Sequence, residues 1–301
     1  MKMKLGISSA GVTNRYGIEE GFKLIKQSGF DSVDISLTGY SKEADTVYNV
    51  SEDEFLSYFS NIKKICDDLE LEISQTHGRL TTCVPEKDLC EAIKINSELD
   101  LKASGILNAP VCVFHGVKLK QWEGVCLEED FLLAKNKEFF EDYLTPLCEK
   151  YKVKFALETH GCSKISTGSV LDYVGDARNL RKSFDLIDSK WKSFCFDSGH
   201  TNEAIYYGGP GMYESIKALG ESIEVLHLHD NQGFYDSHLM PLNGAFGAID
   251  WAVVFDALNE VGYKGAYNWE LGLGCFGNYL DQALPYIHGY LRNFINNKGR
   301  I

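Results

Sequence analysis

Residues 193–200 read Ser-Phe-Cys-Phe-Asp-Ser-Gly-His. The apolar run at residues 194–196 predicts a buried parallel strand, which delivers Asp197 and His200 to its carboxyl end. In α/β barrels this end of a strand carries the ligand site. A carboxylate and an imidazole three residues apart, just beyond a strand, can share one cation. The stretch therefore predicts an α/β fold with a metal site.

Three other short apolar runs end in the same way, each on a side chain that can bind a metal. They are Phe155-Ala156-Leu157-Glu158 before Thr159-His160, Val225-Leu226-His227-Leu228-His229-Asp230, and Ala266-Tyr267-Asn268-Trp269-Glu270. Several converging strands of this kind indicate a single metal site.

Strand and helix patterns alternate along the whole chain. Strands are predicted over 4–7, 32–35, 71–76, 111–114, 155–158, 194–196, 225–229 and 266–270. Helices are predicted over 18–27, 51–69, 86–103, 130–151 with an interruption near Pro146, 169–174, 212–219, 250–261 and 280–296. Eight strand-helix units without a linker predict a single-domain (β/α)8 TIM barrel over residues 1–301. The longest predicted loop, residues 230–248, is expected to be functional.

Composition narrows the class of protein. The chain has 301 residues, 44% of them hydrophobic, and a formal net charge of −13, which disfavours nucleic acid and anionic membranes as partners. The start of the chain has too short an apolar stretch for a signal peptide, and no run approaches the roughly 18 apolar residues of a membrane span. We therefore expect a soluble cytoplasmic protein and leave a homo-oligomer open. The nine cysteines include no Cys-x-x-Cys pair and are expected to be free thiols.

Polar side chains that can bind metals collect at the predicted strand ends. Six are histidines and four are carboxylates: His77, His115, His200, His227, His229, His238, Glu158, Asp197, Asp236 and Glu270. A lone histidine there is more often a hydrogen-bonded structural residue, and an acidic residue often caps the next helix. Ten together favour a divalent cation, because an uncompensated carboxylate at the end of a buried strand is costly. Mixed imidazole and carboxylate ligands suit Zn, Mn, Co or Mg.

These motifs resemble the xylose-isomerase-like barrel superfamily, which holds sugar and sugar-phosphate isomerases and epimerases together with endonuclease IV. The resemblance rests on Glu158, Asp197-Ser198-Gly199-His200, His227-Leu228-His229-Asp230-Asn231, Asp236-Ser237-His238 with Gly247-Ala248-Ile249-Asp250, and Glu270. It implies a four-ligand metal site at Glu158, Asp197, Glu270 and one of His227 or His229, of which counting back from Asp230 favours His227. By the likeness to endonuclease IV, five further ligands fall on His77, His115, His200, Asp236 and His238, with room for up to three ions.

The resemblance implies a metal-dependent isomerase or epimerase of a small sugar or sugar phosphate that works through an enediolate. Glu158 and Glu270 would exchange the proton, and His200 would orient a hydroxyl group or complete a second metal site. The alternative is an endonuclease IV-like phosphodiesterase that cleaves abasic DNA with a trinuclear metal cluster. Endonuclease IV usually has Cys where this chain has Gly199, which favours the isomerase branch.

A third class, a carbohydrate-binding or metal-dependent regulatory barrel without enzymatic activity, is disfavoured by the two opposed glutamates. Binding alone does not require two carboxylates on the metal. In the predicted front loops, some side chains could contact anions, hydroxyl groups or a sugar face: Arg15, Lys42, Arg79, Lys118, Lys120, Lys164 and Trp122.

Overall fold

The computed structural model describes residues 3–242 and 249–300. Its strands, in chain order, are β1 (Leu5–Ser8), β2 (Ser32–Ser36), β3 (Glu72–His77), β4 (Val111–His115), β5 (Lys154–Glu158), β6 (Cys162–Ile165), β7 (Gly168–Leu171), β8 (Lys192–Asp197), β9 (Ile223–His227) and β10 (Tyr267–Trp269). All except β6 and β7 belong to one parallel sheet with the order β10-β1-β2-β3-β4-β5-β8-β9. A parallel bridge between Leu228 and Trp269 closes the sheet into a ring. The predicted (β/α)8 barrel is confirmed.

Helices surround the ring. They are α1 (Ala10–Tyr16), α2 (Ile18–Gln27), α3 (Glu52–Asp68), α4 (Lys87–Ile106), α5 (Leu119–Trp122), α6 (Glu129–Lys137), α7 (Thr145–Tyr151), α8 (Ala177–Leu186), α9 (Ser198–Tyr206), α10 (Met212–Leu219), α11 (Trp251–Glu260) and α12 (Leu280–Asn296). The Ser51 side chain and Glu54 form the capping box that their spacing predicts at the start of α3. Within the described residues, no helix is both long and apolar enough to span a membrane.

The structure corrects two predictions in the middle of the chain. Residues 169–174, predicted as a helix, belong to the antiparallel β6–β7 hairpin and a following turn, because Gly168 adopts a positive φ of 123° at the reversal. The long helix predicted over 130–151 divides into α6, a π-helical stretch (Glu138–Leu144) and α7, which has a proline in its first turn.

Two layers of side chains stabilise the barrel. A large apolar cluster, which includes Phe59, Phe114 and Trp251, fills the space between the sheet and the helices. A smaller cluster inside the ring contains Val111, Val113, Ala156, Cys195 and Val225. All nine cysteines are free thiols, as predicted.

Strand register brings the chemical groups together. His115 is paired with Glu158 across β4 and β5, and Asp197 is paired with His227 across β8 and β9. Neighbouring side chains at the ends of parallel strands face the same barrel mouth. Residues 243–248, which end the predicted loop 230–248 and include Gly247 and Ala248, lie outside the described residues.

Candidate metal centre

The ten predicted ligand candidates all lie at the carboxyl end of the barrel. Those that end a strand are His77 on β3, His115 on β4, Glu158 on β5, Asp197 on β8 and His227 on β9. Glu270 directly follows β10, and His200 lies in the first turn of α9. The other three, His229, Asp236 and His238, belong to the segment after β9. Because they come from several strands, convergence on one site depends on closure of the barrel.

Glu158 is the hub of this mouth, and it is only 1% exposed. Its Oε1 lies 2.7 Å from His227 Nδ1, while its Oε2 lies 2.8 Å from His115 Nε2 and 3.3 Å from His77 Nε2. The next histidine, His200, has its Nδ1 3.6 Å from Oε1. One buried carboxylate therefore faces four imidazoles.

Four donor atoms form a compact group at the centre. One atom each from Glu158, Asp197, His227 and Glu270 lies within 4.8 Å of all the others. His227 Nδ1 is 3.5 Å from Glu270 Oε2 and 3.9 Å from Asp197 Oδ2. The buried Asp197 Oδ2 has no hydrogen-bond partner in the described part of the chain. A divalent cation fits this group, because it would supply the missing partner to an otherwise costly buried anion.

The structure distinguishes His227, the last residue of β9, from His229, two positions later. His227 lies in the central group, whereas His229 stacks on His238 with ring centroids 4.0 Å apart. His229 Nε2 is 3.1 Å from Asp197 Oδ1 and 3.6 Å from Asp236 Oδ1. The geometry thus agrees with the preference for His227 as the ligand from this strand, and that role stays a prediction.

Two further groups of donors flank the centre. His77, His115 and Glu158 form one, and His229, Asp236 and His238 form the other. His200 adjoins the second group, with its Nε2 3.3 Å from Asp236 Oδ2. Asp236 Oδ1 is buried without a hydrogen-bond partner among the described residues. Both groups have the composition of cation sites.

Charge in the mouth follows from burial and mutual contact. Burial alone would raise the pKa of Glu158, but His227 and His115 outweigh it and hold that pKa well below its usual value. Burial and the nearby Lys118 ammonium lower the pKa of His115 to about 3. For His238, burial is outweighed by Asp236 and Glu270, which raise its pKa to about 9. Glu158 is therefore ionised and His115 neutral at pH 7, the states in which each can bind a metal.

Asp34, in the middle of β2, is a buried partner of the centre that the sequence analysis did not identify. Its Oδ2 lies 3.0 Å from Nε2 of His227, whereas Glu158 contacts Nδ1 on the other side of the same imidazole ring. When the carboxylate accepts the Nε2 proton, the lone pair of Nδ1 is directed at the central group. The available signal was an acidic residue within a strand that is otherwise apolar or small, Ser32-Val33-Asp34-Ile35.

We expect Asp34→Asn to weaken binding of the first divalent cation by about 10- to 100-fold, because the amide no longer fixes the His227 tautomer. Competition with a chromophoric chelator measures this affinity without any substrate. Asp185→Asn, on the exposed face of α8, provides the control and should leave the affinity unchanged. Wild-type affinity in correctly folded Asp34→Asn would show that Asp34 does not position His227.

Packing against His229 requires a glycine at position 199. A Cβ on Gly199 would lie 1.9 Å from Cε1 of His229, far closer than atoms in contact allow. The glycine makes room for the His229 ring, and the two residues form a matched pair. A cysteine at position 199 would therefore clash with His229.

Several side chains that the sequence analysis named as possible ligand contacts also have partners within the protein. Arg79 binds the buried Asp100, with Nε 2.8 Å from Oδ2, and Trp122 is 4% exposed and packs edge-on against Phe131. Arg15 donates to Asn278. The ligand contacts suggested for these three side chains stay predictions. Lys42, Lys120 and Lys164 are exposed, and Lys118 is half-buried beside the mouth.

His160 is a second residue that the sequence analysis left out of the ligand candidates. Its ring centroid lies 5.1 Å from that of His200 and 5.3 Å from that of His115. It follows Glu158 by two residues, and this spacing, which puts two side chains on the same face of an extended chain, was the available signal. Its Nδ1 is buried without a hydrogen-bond partner in the described ranges.

Comparisons with known proteins agree with this architecture. An uncharacterized protein of Methanocaldococcus jannaschii is 33% identical over 132 residues, 42% of this chain and 40% of that protein, so the chain spans less than half of that curated relative. A solved D-tagatose 3-epimerase-like protein is 21% identical with a TM-score of 0.72, covering 99% of this chain and 100% of that one. The structure of the IolI protein with a bound zinc atom is 16% identical with a TM-score of 0.71, covering 99% and 98%.

At these identities the two solved structures show the fold alone. The family model described as xylose isomerase-like TIM barrel matches residues 22–278, which is most of the chain. The protein therefore belongs to the xylose isomerase-like TIM barrel family.

Proposed function

We propose that this protein is a metal-dependent isomerase or epimerase of a small sugar or sugar phosphate. The observation that carries the proposal is the pair Glu158 and Glu270, which share one group of donor atoms although they lie at the ends of different strands. Proton transfer at carbon needs one group that removes a proton and one that returns it, and two carboxylates at one centre can do both. The similarity in fold to a D-tagatose 3-epimerase-like protein supports this reaction class.

Glu158, Asp197, His227 and Glu270 would hold a divalent cation, for which Zn, Mn, Co and Mg are the candidates. The cation would supply Lewis-acid stabilisation of negative charge on the substrate's carbonyl oxygen. The two flanking donor groups raise the capacity to as many as three ions. We accordingly expect more than one metal equivalent per chain under excess Zn or Mn.

The two glutamates differ in exposure, which suggests a division of roles. The Glu270 side chain is 27% exposed and Glu158 is 1% exposed, so Glu270 meets the substrate more directly. In our proposal Glu270 removes the proton next to the carbonyl group and leaves the enediolate of the substrate. Glu158 lies deeper and is ionised in the free protein, so it takes up a proton from solvent and delivers it to the adjacent carbon or to the opposite face, while Glu270 releases its proton to solvent. The products are then an isomer or an epimer.

His200 is suited to orient a substrate hydroxyl group or to complete a second metal site. Its Nδ1 donates to the Thr159 carbonyl oxygen at 3.0 Å, which fixes the ring. Its Nε2 lies 3.3 Å from Asp236 Oδ2, toward the flanking group of donors.

Solvent exchange tests the proposal. Metal-loaded protein is incubated in deuterium oxide with a panel of ketoses, aldoses and their phosphates, and proton NMR follows the hydrogen next to each carbonyl group. We expect that signal to disappear from at least one sugar as its isomer or epimer forms, and to persist with metal-stripped protein. Failure of every sugar to exchange, with metal verified in the protein, would contradict the proposed reaction.

Hydrolysis of abasic DNA is the second candidate, and the flanking donor groups favour it. Nine positions match the ligands implied by the likeness to endonuclease IV, and clustered metals can activate water beside a phosphodiester. Against it stands the net charge of −13, which weakens binding to DNA. We expect little incision of an abasic-site duplex at physiological salt. Efficient incision that His115→Ala or His238→Ala abolishes, without exchange on any sugar, would reverse the order of the two candidates.

A further inference from the structure

The segment after β4 holds Lys118 in a fixed position. Three backbone N–H groups on either side of it are bound by buried side chains: Val117 N–H donates to Asn136 Oδ1 (3.0 Å), Leu119 N–H to Asp172 Oδ2 (3.2 Å) and Lys120 N–H to Ser163 Oγ (3.3 Å). All three acceptor residues are at most 3% exposed. Buried polar groups committed to a loop backbone rigidify it, so the base of the Lys118 side chain is held in place.

The Lys118 ammonium, in contrast, has no partner. The side chain is half-buried, and it forms no hydrogen bond or ion pair with any residue in the ranges 3–242 and 249–300. Burial lowers its pKa, opposed by Asp172 and by Glu158, and the same ammonium lowers the pKa of His115. Lys118 follows His115, the last residue of β4, by three positions, which places it beside the metal centre. A desolvated cation without a counter-ion is costly, and a bound anion would offset that cost.

His160 lies beside the same centre. Its side chain makes no hydrogen bond to any described residue, although its ring contacts His115 and His200. The imidazole nitrogens can form hydrogen bonds with a sugar hydroxyl group or with an anion.

We propose that Lys118, assisted by His160, forms an anion subsite that selects a sugar carrying a phosphate or carboxylate group. This inference rests on the proposed function and narrows its substrate class. Four of the candidate ligands at the mouth, Glu158, Asp197, Asp236 and Glu270, are carboxylates, which repel an anionic substrate unless a cation compensates for them. Lys118 is a protein cation at this mouth that is fixed at its backbone and unpaired at its end, and a neutral sugar would leave it without a counter-ion.

Direct binding of inorganic phosphate tests the subsite without turnover. Calorimetry compares metal-loaded wild type, Lys118→Met, Lys118→Arg and the control Lys87→Met, an exposed lysine at the start of α4. We expect Lys118→Met to weaken phosphate binding about 10- to 100-fold, Lys118→Arg to restore most of it, and Lys87→Met to change it by less than about 2-fold. Equal affinities in wild type and Lys118→Met, at equal metal content and thermal stability, would overturn the proposal.

A comparison of substrates shows whether the subsite binds a phosphate or a carboxylate group. It also tests the anion subsite separately from the proposed isomerase activity. On a sugar phosphate, a sugar carboxylate and the parent neutral sugar, Lys118→Met should raise KM for the anionic substrate about 10-fold or more with a smaller effect on the neutral sugar. Whichever anionic sugar shows the larger rise identifies the group bound. Exchange confined to neutral sugars and insensitive to Lys118→Met would overturn the anion subsite while the isomerase proposal stands. Lys118-dependent phosphate binding without exchange on any sugar would leave the subsite in place and contradict the isomerase.

Discussion

Glu158→Gln is expected to lower the rate of solvent exchange at the sugar carbon by about 10²- to 10⁴-fold and to weaken the binding of metal. Glutamine preserves the shape of the side chain but removes the charge that faces four imidazoles in a fully buried position. Both the proton transfer and the retention of the cation depend on that charge. Proton NMR in deuterium oxide measures the first, and elemental analysis of dialysed protein measures the second.

Glu203→Gln is the matched control for this variant. Glu203 is also a buried glutamate at the barrel mouth, but its carboxylate accepts hydrogen bonds from the backbone N–H and the thiol of Cys162. We expect Glu203→Gln to retain exchange and metal content. Wild-type exchange and metal content in Glu158→Gln would show that the hub carboxylate has no part in the chemistry.

Glu270→Gln should abolish exchange to a similar degree, about 10²- to 10⁴-fold, but with a smaller loss of metal affinity than Glu158→Gln. Glu270 is the more exposed of the two glutamates. Within the central group, its Oε2 lies 3.5 Å from His227 Nδ1. The chain would therefore lose the base that meets the substrate while most of the donor set remains. Chelator competition and NMR exchange on the same preparation separate the two effects. If Glu270→Gln exchanged at the wild-type rate, proton abstraction would have to be assigned to another group.

The barrel could be predicted from the sequence because its strands are short apolar runs that end on polar residues. Such runs depend on local composition, and β5, β8 and β9 were found in this way. Residues 169–174 were predicted wrongly as a helix because six residues are too few to distinguish helical from extended periodicity. There the conformation depends on the positive φ of Gly168 and on pairing with β6.

The candidate ligands could be located for a similar reason, since a parallel barrel carries the end of every strand to one mouth. The residues that position these ligands could not be located from the sequence. Asp34 and His227 are separated by 193 positions, and the room for the His229 ring depends on Gly199 from another strand end. Arg79 pairs with the buried Asp100 and Trp122 packs against Phe131, contacts that the local sequence does not indicate. Contacts between distant segments are fixed by packing, which local pattern does not encode.

Anomalous diffraction from crystals grown with Zn²⁺ tests the central claim most directly. Data collected on both sides of the zinc absorption edge locate the ion independently of its chemical interpretation. We expect the strongest peak at about 2.0 to 2.3 Å from one donor atom each of Glu158, Asp197, His227 and Glu270. Zinc bound without contact to Glu158 or Glu270 would contradict a metal centre built on these two glutamates.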